Sequence, residues 1–579
     1  MNKKQFLALA LGGMMIFGTA AGCGIDNSDG SNGKTTELRV TLSSGGIGSQ
    51  WLKNAMDRFE VLSKDKSYAE GKTGVKFKEP IEAVTPPTDL STEANHIFFV
   101  EQKDRVTVEA ANGTWMDLTD VIQSKAYETR EGEAISIEDK LTPNVRSTLK
   151  IGDKYYGLPH YEYYGGLTYD IDLFEGKRNG ARDDDGQKLY LAAPGSSDTT
   201  EYTSQKFGCT INLVNDLSDK SCGPDGEFGT VDDGLPSSYA EFFTLCEYMQ
   251  EEGWQPVQMT GMHINYSNLF MMGAWAQLAG DRMNTYFSLD GEIEVVTGEK
   301  EENLFPGIDY IKKPKTELVT VADTVNTQAV FNMVERYYAQ AILTIMEREG
   351  FFSDDANTET IDHHDTHYNY LLSGFDSTYP VTPFLIEGSF WHNESKLNGD
   401  FDLFYYDYNY VKSRNVGWMS LPVTMDETIE ENDEKAHAIV LPDIAGAWCY
   451  ANARYEKDPE LSAAIKDFIA FLYSDAELSH FTAETGLAKA IDYQLLEEDE
   501  DSMPEFYKNL WNARVDGTVI INGSSATAYE KISGELRLSP PYYWHGFTGS
   551  SSENLLKMLR ANKSKKLWDI FKDTIRSYK

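Results

Sequence analysis

Two histidines of the segment HHDTH, His363 and His367, are four residues apart, which is the spacing of two zinc ligands on one face of a helix. A zinc peptidase of this kind also needs a glutamate directly after the first histidine as general base, and His364 occupies that position. Because the base is missing, we interpret the segment as a polar surface stretch rather than a metal centre.

Acidic residues alternate with glycines in the segment GPDGEFGTVDDG, and a second acidic run, RDDDGQ, lies upstream. Calcium takes about six to eight oxygen ligands, which Asp-rich loops with sharp glycine turns can supply. The spacing is not that of an EF-hand, and a solvated acidic loop is the alternative. We predict a structural calcium ion. Its predicted ligands are Asp183, Asp185, Asp225, Glu227, Asp232 and Asp233.

Other catalytic patterns give no assignment. The nucleophile motif GxSxG does not occur, and NGKTT near Gly33 lacks the first glycine of a phosphate-binding loop. A carboxylate pair for glycoside hydrolysis could be drawn from the 92 acidic residues, because only separation in space decides that chemistry. An exported glycoside hydrolase therefore stays an alternative function.

The first residues have the order of a secretory signal peptide. A basic start is followed by a mostly apolar run at residues 6–17 and by small residues that lead to Cys23. The end of this segment resembles the lipobox of bacterial lipoproteins, with Ala20 where that pattern usually has leucine. We expect removal of residues 1–22, lipidation of Cys23 with fatty acyl chains such as palmitate, and a flexible tether over residues 23–37. Simple secretion is the alternative.

The composition is that of a large globular protein. Its 579 residues, 41% of them hydrophobic, can bury a sizeable core and suggest two or more domains. The formal net charge of -40 argues against nucleic acid or anionic lipid as the main partner. Cys209 and Cys222 flank a polar loop and could form a disulfide, whereas Cys246 and Cys449 lie in apolar patterns typical of buried thiols.

Strand and helix signals alternate along the body of the chain. LRVTLSS predicts a strand, and the following SQWLKNAMDRFE predicts a helix with one apolar face. HIFFVE predicts a buried strand, and PELSAAIKDFIAFL predicts a long amphipathic helix. This alternation indicates an α/β fold.

Four stretches together carry a family resemblance. They are the opening strand and helix, WMDLTDVI with DKYYGLPHYEYYGGLTYDIDLF, IEGSFWHNES, and AAIKDFIAFLYSDAELSHFTAETGLAKA. In this order the chain resembles the extracellular solute-binding proteins of family 1, the carbohydrate-type binding lipoproteins of ABC importers. The resemblance spans most of residues 38–495, and the extra length lies chiefly at residues 176–236 and past residue 495.

The resemblance implies an α/β, two-lobed periplasmic-binding-protein-like fold of type II, with a hinge and a ligand cleft between the lobes. Lobe one is expected at residues 38–165 plus 415–485 and lobe two at residues 166–414 plus 486–579, with an acidic insertion at about 176–236. The insertion looks like the calcium loops of larger members.

The same resemblance implies a monomeric binding protein, not an enzyme, anchored on the outer side of the cell membrane of a Gram-positive bacterium. It would capture a small polar solute, such as an oligosaccharide or another sugar, and deliver it to the membrane subunits of an ABC importer. Binding of a peptide or another non-sugar solute is a further alternative.

A sugar site needs aromatic rings beside polar groups, and four segments offer both: PHYEYYGG, GAWAQLAGDR, EGSFWHNE and GAWCYAN. Core packing is the alternative for each tryptophan. Trp391 is the strongest candidate, because it follows a glycine and lies beside polar His392 and Asn393. The predicted ligand-binding residues are Tyr161, Glu162, Tyr163, Trp275, Asp281, Trp391, Glu394 and Trp448.

Overall fold

The structure is a computed structural model, and it describes most of the chain after the tether. The described residues are 33–43, 45–82, 93–100, 110, 112–125, 135–177, 186–322, 325–374, 379–401, 414–442, 448–520, 555–561 and 563–574. Cys23, Asp183 and Asp185 lie outside these ranges. Among the helices within them, none has the length and apolar character needed to cross a membrane.

Short strands and helices alternate along these residues. The strands are β1 (Thr36–Leu38), β2 (Val40–Leu42), β3 (Val75–Phe77), β4 (Ile81–Glu82), β5 (Ile97–Val100), β6 (Lys150–Ile151), β7 (Lys154–Tyr155), β8 (Gly157–Pro159), β9 (Gly165–Asp170), β10 (Thr199–Ser204), β11 (Cys209–Val214), β12 (Val257–Gln258), β13 (Gly291–Asn303), β14 (Lys312–Val321), β15 (Phe384–Gly388), β16 (Val416–Met419), β17 (Ile439–Val440), β18 (Trp448–Ala451) and β19 (Thr518–Val519). The α-helices are α1 (Gln50–Ser63), α2 (Thr119–Gln123), α3 (Ile137–Lys140), α4 (Pro143–Leu149), α5 (Ile171–Phe174), α6 (Tyr239–Glu251), α7 (Tyr266–Ala279), α8 (Met283–Ser288), α9 (Val334–Arg348), α10 (His363–Leu371), α11 (Trp391–Asn398), α12 (Pro459–Leu472), α13 (Asp475–Thr485), α14 (Glu497–Ser502), α15 (Glu505–Asp516), α16 (Leu555–Ala561) and α17 (Leu567–Thr574). Short 3-10 helices are Leu217–Asp219, Gly280–Arg282, Thr327–Asn332, Asp355–Asn357 and Ala453–Tyr455.

The first lobe is built on a five-stranded sheet with the order β4-β2-β5-β18-β8. Strand β2 is parallel to β4 and β5, whereas β18 is antiparallel to β5 and β8. Helix α1 buries Trp51, Leu52 and Phe59 against this lobe, and α12 buries Phe468 and Ile469. Both helices were predicted from their apolar spacing, and the structure confirms their buried faces.

The second lobe is built on a four-stranded sheet with the order β12-β15-β9-β16. Because successive residues of a strand point to opposite faces, the side chains of β15 pack into two different hydrophobic clusters. Phe384 and Ile386 join the core that α6, α7 and α9 form on one face. Leu385 joins the cluster that contains Tyr370 and Trp391 on the other face. The second sheet is therefore covered on both sides.

The chain crosses from the first sheet to the second between Pro159, which ends β8, and Gly165, which begins β9. Strand β16 pairs with β9, with Val416 opposite Asp170, so it belongs to the second sheet. The predicted return to lobe one at residue 415 is therefore too early, and the first sheet is regained only at Trp448. Two sheets joined by crossing segments confirm the predicted α/β fold of two lobes.

The cysteines are free thiols in all four described cases. Cys209 lies in β11, and Cys222 is buried with its sulfur 3.9 Å from the Ile429 carbonyl oxygen. The disulfide considered for Cys209 and Cys222 is not formed. Burial raises the pKa of Cys209 and of Cys222 to about 11, so both stay protonated at neutral pH.

Candidate functional site

The crossing segment at residues 160–164 is held from both lobes. The Glu162 backbone N–H donates to the Ala488 carbonyl at 2.9 Å, on the first-lobe side. On the second-lobe side, the Ser389 N–H donates to the Tyr164 carbonyl at 2.9 Å, and the Tyr164 N–H donates to Ser389 Oγ at 3.1 Å. The segment is thus fixed between the two sheets, where a cleft would form.

Glu162 acts inside this segment as a structural ion. Its carboxylate is fully buried and accepts hydrogen bonds at 2.5 Å from Arg514 Nε of α15 and from the Tyr164 hydroxyl. Burial, followed by the charge of Glu162, raises the pKa of Tyr164. Both bonds go to Oε1, so protein partners occupy that oxygen of the predicted ligand residue, while Oε2 is buried without a hydrogen-bond partner among the described residues.

A continuous row of rings begins at the crossing segment and ends at the start of α10. Neighbouring ring centroids are 5.0–6.5 Å apart, which is contact distance for aromatic side chains. In spatial order this aromatic row consists of Tyr161, Tyr163, Phe390, Tyr266, His263 and His363.

The aromatic row lies where strands of the second sheet end. Phe390 follows β15, and His263 and Tyr266 follow β12, so these rings occupy the carboxyl ends of two parallel strands, where open α/β sheets bind ligands. Tyr163, Phe390 and Tyr266 are half-buried and His263 is exposed. Each of these side chains therefore keeps part of its surface accessible to a ligand.

A loop of the first lobe contacts the middle of the row. Gly46 has a φ of +60°, and a β-carbon at this position would lie 3.4 Å from the Phe390 side chain. Asn393 Nδ2 of α11 donates to the Gly46 carbonyl at 3.1 Å. Both lobes therefore meet at Phe390 in the middle of the aromatic row, and the positive φ of the loop favours glycine at position 46.

Three of the predicted ligand-binding residues lie along this row. Tyr163 is its half-buried member next to Phe390, and Tyr161, 5% exposed, packs behind it. Glu394 lies at the far end, with its Oε1 3.5 Å from His363 Nε2.

Trp391 is a core residue, which corrects its prediction as the main ring platform. Its side chain is 0% exposed, and its Nε1 donates to Thr168 Oγ1 at 2.9 Å. The polar neighbours that suggested an open position have partners of their own. His392 stacks on Phe506 with centroids 4.8 Å apart, and Asn393 bonds to Gly46.

The three remaining candidates lie away from the row. Trp275 is buried in the second-lobe core beside Tyr286, with centroids 4.6 Å apart. Asp281 is exposed on the turn after α7. Trp448 is 6% exposed in the first sheet and stacks on Tyr450. The structure does not bring these three side chains together.

Sequence reasoning missed Phe390, Tyr266 and His263. Phe390 directly precedes Trp391, and only the phase of α11 decides which of the two rings enters the core. Tyr266 begins α7 after the loop that follows β12. An aromatic residue at the start of a helix that follows a buried strand was the sequence signal that could have identified Tyr266.

The interpretation of HHDTH as a polar surface stretch is wrong for His367. The segment starts α10, Asp362 caps that helix by accepting from the Asp365 N–H at 2.9 Å, and the His367 side chain is 0% exposed. His367 Nε2 lies 3.2 Å from Glu387 Oε1, which is also buried. Burial lowers the pKa of His367 and raises that of Glu387, so an uncharged pair is favoured.

No protein-family model and no curated protein matches the sequence. Solved structures show likeness over almost the whole chain. RafE from Streptococcus pneumoniae is 12% identical, with 94% of this chain and 97% of that chain covered and a TM-score of 0.48.

Two further structures are similar to the same extent. The cyclic alpha-maltosyl-1,6-maltose binding protein from Arthrobacter globiformis is 12% identical, with 93% and 97% covered and a TM-score of 0.48. A chitin oligosaccharide binding protein is 11% identical, with 93% and 97% covered and a TM-score of 0.46. Likenesses at this level do not assign a ligand to the chain.

The acidic loop forms a separate, folded site. Asp232 is 1% exposed and accepts from Thr230 Oγ1 at 2.9 Å and from the Asp225 N–H at 3.3 Å. Asp233 accepts from the Gly229 N–H at 2.8 Å, and Glu227 is exposed. Burial, followed by the charge of Asp225, raises the pKa of Asp232. A cation would relieve this crowding of carboxylates, but the groups of three ligand atoms within 4.8 Å of one another among the described residues lie at α10 and not in this loop, so the calcium ion stays a prediction.

Proposed function

We propose that this protein is the lipid-anchored, extracellular substrate-binding component of an ABC importer, and that it captures an oligosaccharide or another sugar. The observation that carries the proposal is the aromatic row between the two lobes. Sugars present flat apolar faces ringed by hydroxyl groups, and the half-buried faces of Tyr163, Phe390 and Tyr266 match those faces.

Polar groups along the row support the same solute class. His263 and Glu394 can donate to and accept from hydroxyl groups, and neither requires an ionic ligand. The net charge of -40 disfavours anionic solutes. A neutral, hydroxyl-rich molecule is the best match to this site.

The two-lobed fold supports capture rather than catalysis. Lobes joined by crossing segments can close by hinge motion, and a ligand drives closure through contacts that only the closed state makes. The loop at Gly46 supplies such a contact surface from the first lobe. We propose that the closed, loaded form is what the importer's membrane subunits receive.

Anchoring and calcium complete the proposal. The order of residues before Cys23 supports an acyl anchor at that cysteine, which would hold the protein on the outer face of the cell membrane. The buried Asp232 with Asp225 and Asp233 supports a structural calcium ion in the acidic loop.

A thermal-shift screen with oligosaccharides and peptides tests the solute class. A ligand at a hundredfold excess over its Kd stabilises the folded state by about 2.7 kcal/mol, which a melting scan detects. We expect a shift with a neutral oligosaccharide, its loss in Phe390→Ala, and its retention in Phe228→Ala, which removes an aromatic ring that is 51% exposed elsewhere. A shift with peptides alone would overturn the sugar proposal, and consumption of the glycoside would replace it with a hydrolase.

A further inference from the structure

Imidazole and carboxylate groups from three elements meet at the end of the aromatic row, where His363 belongs to both. Helix α10 contributes three histidines, β15 and α11 contribute one glutamate each, and an aspartate follows α11. This histidine cluster consists of His363, His364, His367, Glu387, Glu394 and Asp400.

Within the cluster, three sets of three side chains each place one ligand atom per residue within 4.8 Å of the others. The sets are His363 with His364 and Glu394; His364 with His367 and Asp400; and His367 with Glu387 and Glu394. His364, His367 and Glu394 each belong to two sets. The sets therefore share their members and form one cluster.

Buried polar atoms of this cluster lack partners. His367 Nδ1, Glu394 Oε2 and Asp400 Oδ2 are buried, and none of them has a hydrogen-bond partner among the residues that the structure describes. His367 is 0% exposed and Asp400 is 7% exposed, so solvent has little access to them. Burying such groups without a partner costs free energy, which a bound cation would offset.

The ion class follows from the donor types. We propose that the histidine cluster binds one divalent transition-metal ion of the zinc class. Imidazole nitrogen suits zinc, copper and nickel, whereas calcium and magnesium take oxygen ligands. Zinc bonds of about 2.0–2.1 Å place tetrahedral ligands about 3.3 Å apart. The three ligand atoms of any one set now lie within 4.8 Å of one another, so they need to move inward by only about 1 Å.

The buried pair supplies both ligand types that such an ion takes. His367 offers an imidazole nitrogen and Glu387 a carboxylate oxygen, and the two lie in one set with Glu394. An ion at this site would join α10, which supplies the histidines, to β15 and α11, which supply the glutamates.

The metal site shares His363 and Glu394 with the end of the aromatic row, so metal binding is measured by titration without any sugar present. The purified mature chain is freed of metal with a chelator, dialysed, and titrated with ZnCl₂ by calorimetry and with CoCl₂ by visible absorption. We expect one ion per chain and a cobalt spectrum of four-coordinate type.

Two variants identify the ligands. His364→Ala and Glu394→Gln each remove a half-buried member of two sets and should weaken zinc binding at least tenfold, since even indirect partners of a metal ligand contribute about 10–100-fold. His480→Ala is the matched control, because His480 Nδ1 pairs with Asp499 at 2.9 Å outside the cluster. It should leave the zinc affinity unchanged.

Circular dichroism of the metal-free variants shows whether each is folded. If one variant does not fold, the zinc affinity of the other variant is sufficient for the test. Absence of saturable uptake by the wild type, or uptake that neither variant weakens, would overturn the zinc site. The oligosaccharide screen is run on the zinc-free protein, so failure of the metal proposal leaves the solute proposal standing.

Discussion

Arg514 Nε donates to Glu162 Oε1 at 2.5 Å, and this buried ion pair joins helix α15 to the segment that connects the two sheets. The two side chains are 12% and 0% exposed, so neither charge has water to replace its partner. The pair links the C-terminal part of the chain to the junction between the lobes.

Arg514→Met should lower the free energy of unfolding by about 3–5 kcal/mol, because it leaves the Glu162 carboxylate buried without its countercharge. Urea unfolding followed by fluorescence measures the change. Arg39→Met is the control, since the Arg39 and Glu37 side chains are 44% and 27% exposed and such a pair contributes about 0–1 kcal/mol. Equal losses in the two variants would show that the buried pair has no special role.

Adjacent rings should behave differently on removal. Trp391→Ala empties a buried position and should destabilise the protein by about 3–5 kcal/mol. Phe390→Ala removes a half-buried ring of the aromatic row and should reduce ligand binding with a smaller loss of stability. Melting scans with and without ligand give both quantities. A stable Trp391→Ala protein that no longer binds ligand would restore the original prediction for Trp391.

Lys489 should make stability depend on alkaline pH. Its ammonium donates to the His160 carbonyl at 2.7 Å, and burial lowers its pKa to about 7. The unfolded lysine has a pKa of about 10.4, so between these values only the unfolded chain holds the proton. The free energy of unfolding should therefore rise with pH in this window, by about 1.4 kcal/mol per pH unit, and this contribution is lost as pH falls from about 10 to 7.

Unfolding curves at pH 7.5, 8.5 and 9.5 give the free energy of unfolding of the wild type and of Lys489→Met, and the difference between the two is the contribution of Lys489. Lys457→Met changes an exposed lysine and serves as control, so its free energy of unfolding should change with pH as that of the wild type does. If the free energy of unfolding changes with pH in the same way in all three proteins, Lys489 keeps its proton in the folded state.

Calcium should stabilise the acidic loop. Dialysis against EGTA should lower the melting temperature, added calcium should restore it, and Asp232→Asn should abolish the difference because it removes the buried carboxylate. Asp309→Asn, an exposed change elsewhere, should keep it. If calcium does not change the melting temperature of the wild type, the prediction of a bound calcium ion is wrong.

The sequence predicted local elements well and spatial neighbours poorly. The faces of α1 and α12 followed from apolar spacing, because helical period is a property of consecutive residues. Apolar spacing did not show which of Phe390 and Trp391 is buried. The burial of Trp391 depends on its contacts with Thr168 and Tyr370, which are distant in sequence.

The same limit explains the histidine cluster and the lobe boundary. HHDTH gave the ligand spacing on α10, but Glu387 and Asp400 come from other elements, so the burial of His367 could not be inferred. Strand β16 reads as a short apolar run, and only its pairing with β9 assigns it to the second lobe.

The contact between Gly46 and Phe390 has a kinetic consequence. The first-lobe loop contacts Phe390 in the middle of the row, so we expect a solute to reach all the rings only after the lobes separate. Association would then be gated, and the observed binding rate should level off at the opening rate as solute concentration rises, instead of increasing without limit. The φ of +60° at Gly46 means that a larger residue there strains the loop backbone, so Gly46→Ala should disfavour this closed arrangement, speed capture and shorten the residence time of the bound solute.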